Sequence, residues 1–278
     1  MPFASLDHLP MPEPLSPREL PAVLGPQIGL RPADFAVYFD FDGTLVDIAD
    51  TPEEVVPPPG LAGDLAWLQG HLAGAVAVVT GRRLADVQRM IAPAWLPGSG
   101  LHGLEFSFDP AEPPHAAADA IAPALLARAV ALAADHPGVR LEYKGAILAM
   151  HFRGNPTAGP QLMNALAHLL VELDLRHHLK EGRAVIEVIP DGTSKATALA
   201  TIMRQPAFAG RIPIMIGDDR ADEDAFTVAK AAGGFGLQVA GEHFPADEAH
   251  FADPAAVRGW LSGIAAGARR QVRRARPR

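Results

Sequence analysis

At 278 residues the chain exceeds one minimal core and suits one large domain or two modest ones. With 49% hydrophobic and 20% charged residues it has the balance of a globular protein, not a disordered one, and a formal net charge of −8 argues against general nucleic-acid binding. Cysteine is absent, which excludes disulfides, thiolate metal sites and cysteine nucleophiles; with no bilayer-length apolar run and no signal-peptide pattern, a cytoplasmic protein without membrane association is expected.

Residues 1–32 are proline-rich without sustained periodicity and read as a leader, with room for a short helix near 17–24. The first apolar run, "AVYF" (36–39), leads into Asp40, Phe41, Asp42, Gly43 and Thr44, and a helix is predicted over 60–73. The second, "AVAVV" (75–79), leads into Thr80, Gly81 and Arg82, with a helix over 83–92. The stretch 107–189 differs in kind. It holds a helical segment (116–134), the segments "VRLEY" and "AILAMHF" joined as a hairpin through Lys144 and Gly145, a helix over 158–173, and a strand pair about "KEGR" (180–183). "DGTSKATALATI" (191–202) puts Lys195 in the first turn of another helix. The third apolar run, "IPIMI" (212–216), leads into Gly217, Asp218 and Asp219 and a helix over 221–232. "GGFGLQVAG" (233–241) reads as a sheet strand and its turn, not a nucleotide loop. The arginine-rich end, 267–278, reads as a solvated tail.

Each apolar run is strand-length and apolar on both alternating faces, as a strand covered on both sides must be. Strands alternating with helices imply an α/β protein: a Rossmann-like, doubly wound parallel sheet core (33–106 plus 190–266) with an inserted α+β cap (107–189). The carboxyl ends of parallel strands share one edge, so the three polar clusters should converge in space.

Asp40 and Asp42 lie two apart, so an extended chain points both carboxylates one way, and they repel unless a cation or shared proton intervenes. Asp218 and Asp219 add oxygen donors, and such a set suits a hard cation, foremost Mg²⁺. Thr80 and Gly81 offer neutral donors at a helix start, suited to a phosphate oxygen; Lys195 could bind phosphate and keep a nucleophile ionised. One of the two aspartates would attack phosphorus to form an aspartyl-phosphate, and the other would protonate the leaving alcohol and activate water. The chemistry alone does not assign which does which.

"DFDGTL" (40–45), "TGR" (80–82), Lys195 and "GDDRADEDAF" (217–226), in this order, resemble the four motifs of the haloacid dehalogenase superfamily of phosphatases. The resemblance implies that Asp40 is the nucleophile and Asp42 the acid/base. It also implies Mg²⁺ on Asp40, the backbone carbonyl of Asp42, and Asp218, with Asp219 and Asp222 in support. Further segments, "GLHGLE" (100–105), "EYKGAILAMHFR" (142–153) and "GRAVIEVIPDGTSKATAL" (182–199), are similar to the trehalose-6-phosphate phosphatase family. That likeness implies that Glu142, Lys144, Arg153 and Glu187 contact the sugar ring distal to phosphate, with Arg183 beside Glu187. Gly81 and Arg82 join them as substrate-binding residues. Ala196 departs from the family's usual glycine, at little cost in a helix.

The expected partner is therefore a small sugar phosphate, trehalose 6-phosphate, with no nucleic acid, membrane or obligate protein partner. Alternatives are a phosphatase for sucrose or glucosylglycerol phosphate, a phosphomutase, or a non-catalytic sugar-phosphate sensor. His102 and Glu105 are expected to pack or hydrogen-bond, His151 to be a satisfied core histidine, and His177 with His178 to lack a third ligand at metal spacing.

Overall fold

The computed structural model describes residues 16–49, 51–117, 119–182 and 184–275. The apolar runs form the middle of a seven-stranded sheet. In chain order its strands are β1 (Phe35–Phe39), β2 (Val76–Val79), β3 (Gly98–Gly100), β4 (Glu105–Ser107), β5 (His115–Ala116), β10 (Ile212–Gly217) and β11 (Phe235–Gln238). Across the sheet they lie β11-β10-β1-β2-β3-β4-β5. The first five in that order are mutually parallel, and β4 returns antiparallel beside β3. All residues of β1, β2 and β10 are buried, which is why these segments show no polar–apolar alternation. From β1 the chain goes to β2 and β3 on one side, and later supplies β10 and β11 on the other. That reversal puts the carboxyl ends of β1 and β10 at the switch point where open α/β sheets bind ligands.

Helices α2 (Leu61–His71), α3 (Leu84–Ile91), α6 (Lys195–Ile202) and α7 (Arg220–Ala231) follow the predicted spans closely. Two others correct the sequence reading. Residues 20–30, read as leader with room for a short helix near 17–24, form the longer, packed α1 (Leu20–Leu30), and the arginine-rich segment continues α8 (Pro254–Ala275) instead of starting a tail. Both corrections have one cause. Leu24 and Ile28 of α1 are buried one turn apart, and Val257, Leu261, Ile264, Ala265 and Ala268 make the apolar stripe of α8, so the helices pack on each other. Trp260 Nε1 donates to the carbonyl of Pro21 at 2.7 Å. Pro21 sits in the first turn, where a missing N–H is harmless. Residues 1–15 and 276–278 lie outside the described residues.

The chain divides into two units: the described residues through His115 with those from Ser194 onward, and Ala116–Thr193. Residues 107–115, read as the start of the cap, thus stay with the core. The second unit has a four-stranded antiparallel sheet, β6 (Arg140–Tyr143), β7 (Leu148–His151), β8 (His177–Gly182) and β9 (Val185–Pro190), in the order β6-β7-β9-β8. One face packs on α4 (Pro123–Ala134) and α5 (Gly159–Glu172): Leu148, Met150, Ile186 and Val188 meet Leu125, Leu162 and Leu166. α4 starts later than the predicted 116, at Pro123, because proline suits a first helical position and disfavours helix before it.

Candidate active site

The end of β1 delivers Asp40, which is 5% exposed, and its amide donates to the carbonyl of Ile216 on β10 at 2.9 Å. The chain then turns at residues 41–46, where Gly43 (φ +72°) lies directly under Asp218; a Cβ there would fall 1.9 Å from Asp218 Oδ2. Thr44 Oγ1 donates to Asp218 Oδ1 at 3.2 Å. Lys195 opens α6 behind its N-cap Ser194, whose hydroxyl accepts from the Thr197 amide at 3.1 Å. A cation in a helix's first turn opposes the macrodipole. Carboxylates offset this: Lys195 Nζ lies 2.7 Å from Asp40 Oδ2 and 2.8 Å from Asp222 Oδ1, with the lysine side chain 3% exposed.

Asp40, Asp218 and Asp222 each present a carboxylate oxygen within 4.8 Å of the others, all buried. Asp219, by contrast, caps α7: its Oδ1 accepts from the Arg220 amide at 2.7 Å, while its own amide donates to Asp222 Oδ2 at 3.1 Å. Asp222 therefore serves the cap and the cluster together. Burial pushes the Asp40 carboxyl well up, Lys195 opposes this, and Asp222 and Asp218 add to it. Burial and then Asp222 push Asp218 up to about 7. For Lys195 burial pulls downward, but Asp222 and Asp40 outweigh it and keep the ammonium protonated above its usual range. Three buried carboxylates against one ammonium make an oxygen-only donor set with excess negative charge, which fits a hard divalent cation such as Mg²⁺.

Asp42 is placed otherwise. Its carboxylate accepts from Arg82 Nε at 2.6 Å and from Arg82 Nη2 at 2.7 Å, a bidentate pair. The guanidinium lies over the Phe41 ring, 5.9 Å from its centroid. The carboxylates that converge are thus those of Asp40, Asp218 and Asp222, and the side chain of Asp42 is not among them. The sequence reading had Asp222 only in support and omitted Thr44; the capping pattern of Asp219 with Asp222 three residues on, right after the third apolar run, was the available signal. Thr80 follows β2 directly, is buried, and its hydroxyl accepts from the Arg82 amide at 3.1 Å. The His102 imidazole lies against Gly81, and its backbone amide donates to the Thr80 carbonyl at 3.0 Å. The Glu105 carboxylate accepts from the Leu84 amide, closing the first turn of α3, which no N-cap side chain satisfies.

In the second unit the sheet face opposite α4 and α5 is polar. Glu142, Ala149, Glu187 and Lys180 stand in register across β6-β7-β9-β8. Lys144 Nζ lies 3.6 Å from Glu142 Oε2 and 3.4 Å from Glu187 Oε1, so three of the expected sugar-binding residues meet. Arg153 is exposed in the turn after β7, and Arg183 lies outside the described residues. His151 corrects an expectation: it lies on this polar face and not in the core, with Nε2 2.9 Å from Glu142 Oε2. No described helix is long and apolar enough to cross a membrane.

A family model described as trehalose-phosphatase matches residues 38–256. A Sinorhizobium fredii protein named "Probable trehalose-phosphate phosphatase" is 38% identical over 235 residues, covering 84% of this chain and 88% of that protein. The trehalose-6-phosphate phosphatase of Escherichia coli (strain K12) is 34% identical over 209 residues, covering 74% of this chain and 78% of that one. In fold, the chain resembles the C-terminal domain of Candida albicans trehalose-6-phosphate phosphatase, with a TM-score of 0.74 at 19% identity, covering 92% and 99% of the two chains.

Proposed function

The chain belongs to the trehalose-phosphatase family, and on that premise we propose that it hydrolyses trehalose 6-phosphate to trehalose and inorganic phosphate through an aspartyl-phosphate on Asp40. The observation that carries this reading is the buried cluster at the end of β1, with Lys195 Nζ 2.7 Å from Asp40 Oδ2 and Asp218 and Asp222 beside it. A carboxylate with no short ammonium contact in so crowded a site would be a protonated, poor nucleophile; Lys195 favours its ionised form.

An oxygen of Asp40 attacks phosphorus, the bond from phosphorus to the sugar oxygen breaks, and Asp42 gives its proton to the departing trehalose hydroxyl. Asp42, now a carboxylate, takes a proton from water as that water attacks the same phosphorus, releasing phosphate and restoring Asp40. The bidentate contact with Arg82 matches the carboxylate that Asp42 is between the two steps; the acid that opens the reaction is Asp42 released from Arg82. Thr80 and Gly81 hold phosphate oxygens at the end of β2, and Lys195 balances charge at phosphorus. Asp40 and Asp218, with the Asp42 carbonyl or Asp222, are the residues that would hold Mg²⁺. Bound there, the ion would neutralise charge on the phosphoryl oxygens and on the cluster. Sugar recognition falls to Glu142, Lys144 and Glu187, whose mixed donors and acceptors suit hydroxyls that both donate and accept, with Arg153 and Arg183 as further contacts.

The test is phosphate release from trehalose 6-phosphate, sucrose 6-phosphate, glucose 6-phosphate and a small aryl phosphate, with Mg²⁺ and with a chelator. Strong preference for trehalose 6-phosphate and full dependence on the cation are expected. Equal rates on all four would overturn the sugar assignment, and turnover in chelator would overturn the cation.

A further inference from the structure

We infer that His151 is a positioning residue for sugar recognition, its Nε2–H fixing the orientation of the Glu142 carboxylate on the polar face of the second unit. The inference rests on the sugar-phosphate reading above and adds a residue to which that reading gave no role.

The placement follows from the pleat. Leu148 and Met150 turn toward α4 and α5, so Ala149 and His151 turn the other way. Arg140 stands opposite His151 and Glu142 opposite Ala149, which makes His151 and Glu142 diagonal neighbours on one face. Nε2 and Oε2 are 2.9 Å apart. A carboxylate only accepts, so Nε2 must carry the hydrogen, which fixes the ring's role whatever its charge. Lys144 reaches the same Oε2 at 3.6 Å, longer than a hydrogen bond, so His151 supplies the short directional contact.

From His151 the contacts run through Glu142 and Lys144 to Glu187, and the last two are the more enclosed, their side chains 15% and 12% exposed. The Glu142 side chain is 40% exposed. It is therefore the member with most room to turn, and the one whose orientation needs an outside constraint. The hydrogen bond from His151 also leads the influences that hold Glu142 below the usual carboxylate range, against burial, so it remains an ionised acceptor.

The experiment compares His151→Leu, which keeps bulk, with His151→Gln, which keeps a donor, each alone and combined with Glu142→Gln. Trehalose 6-phosphate and a small aryl phosphate serve as substrates, and each variant is checked by thermal melting. Loss of one hydrogen bond to a charged group predicts that His151→Leu raises KM for trehalose 6-phosphate about tenfold. Its kcat should stay within about twofold, and aryl phosphate kcat/KM should not change. His151→Gln should recover most of the loss, and neither change should add to Glu142→Gln. An unchanged KM in His151→Leu, an equal loss on both substrates, or additivity with Glu142→Gln would overturn the inference. If His151→Leu fails to fold, His151→Ala takes its place: a rise in KM for trehalose 6-phosphate alone that His151→Gln recovers supports the inference, and an unchanged KM overturns it. A wild-type enzyme that does not prefer trehalose 6-phosphate would overturn the sugar reading itself. An undiminished preference in His151→Leu would overturn only the role of His151.

Discussion

Replacing Gly43 with alanine separates two costs that usually come together. The first is conformational: at φ +72° an alanine is in the left-handed region, at a cost of roughly 1–2 kcal/mol. The second is a collision, because the new methyl would sit 1.9 Å from Asp218 Oδ2 and 2.3 Å from its Cγ. Carbon contacts are comfortable at about 3.5–4 Å, so the Asp218 carboxylate or the turn must move by more than about 1 Å. Gly60 is the control: its φ is +93° and a Cβ there meets nothing within 4 Å. Gly60→Ala should lose about 1–2 kcal/mol, a melting shift of roughly 2–8 °C, and Gly43→Ala at least as much because it also carries the collision. Only Gly43→Ala should also lose about 100-fold in kcat/KM, as a misplacement near 1 Å at the reacting centre does. Its Mg²⁺ requirement in the phosphate-release assay should rise as well. If Gly43→Ala keeps activity within about threefold of Gly60→Ala, Asp218 is not held where the chemistry needs it, and the reasoning fails.

Asp40→Asn should lower phosphate release by roughly 10³-fold or more while the melting temperature holds or rises, since one of three crowded carboxylates is neutralised; near-normal turnover would exclude a covalent role. The Tyr38 hydroxyl is buried with no hydrogen-bond partner among the described residues, so Tyr38→Phe should be neutral or stabilising in urea titration. A loss above about 1 kcal/mol would mean that the hydroxyl does have a partner. His250 Nδ1 accepts from the Gln238 amide at 3.1 Å, and burial pushes its pKa down to about 4. Because the folded form resists protonation more than the unfolded chain, its contribution is intact above about pH 6.5 and is lost as pH falls toward 4. Discounted for partial exposure, that loss is on the order of 1–2 kcal/mol. His250→Asn, which keeps an acceptor but cannot titrate there, should show a smaller drop between urea midpoints at pH 7.5 and 4.5. An equal drop would refute the assignment.

The central strands were legible because burial on both faces erases alternation: "AVYF" and "IPIMI" are strand-length, apolar on both faces and end in a polar turn. The polar ends of those runs pointed to one shared edge for the same reason, and Asp40 and Asp218 do converge there, with Asp222. What stayed hidden depended on side-chain direction or on distant partners. Asp42 and Asp222 both sit near strand ends, and only three-dimensional packing sends one to Arg82 and the other to Lys195. The prolines around α1 masked a two-residue stripe, Leu24 and Ile28, whose meaning depends on α8. His151 looked like core because its neighbours are apolar, yet the pleat alternates and turns it outward.

The strand order has a consequence for how the molecule is made. On the ribosome β1 emerges with β2 and β3 soon after it, but its other neighbour, β10, follows only after the whole of Ala116–Thr193. Among the described residues β6 to β9 pair only with one another, so the inserted unit can finish folding while the first sheet still has an open edge. That edge belongs to an entirely apolar strand, the type most prone to pair with the wrong chain. Until Lys195 and β10 arrive, Asp40 waits at its end in water, ionised and harmless. A nascent chain stalled within the insert therefore carries Asp40 without the rest of its cluster, and with an edge that most needs a chaperone.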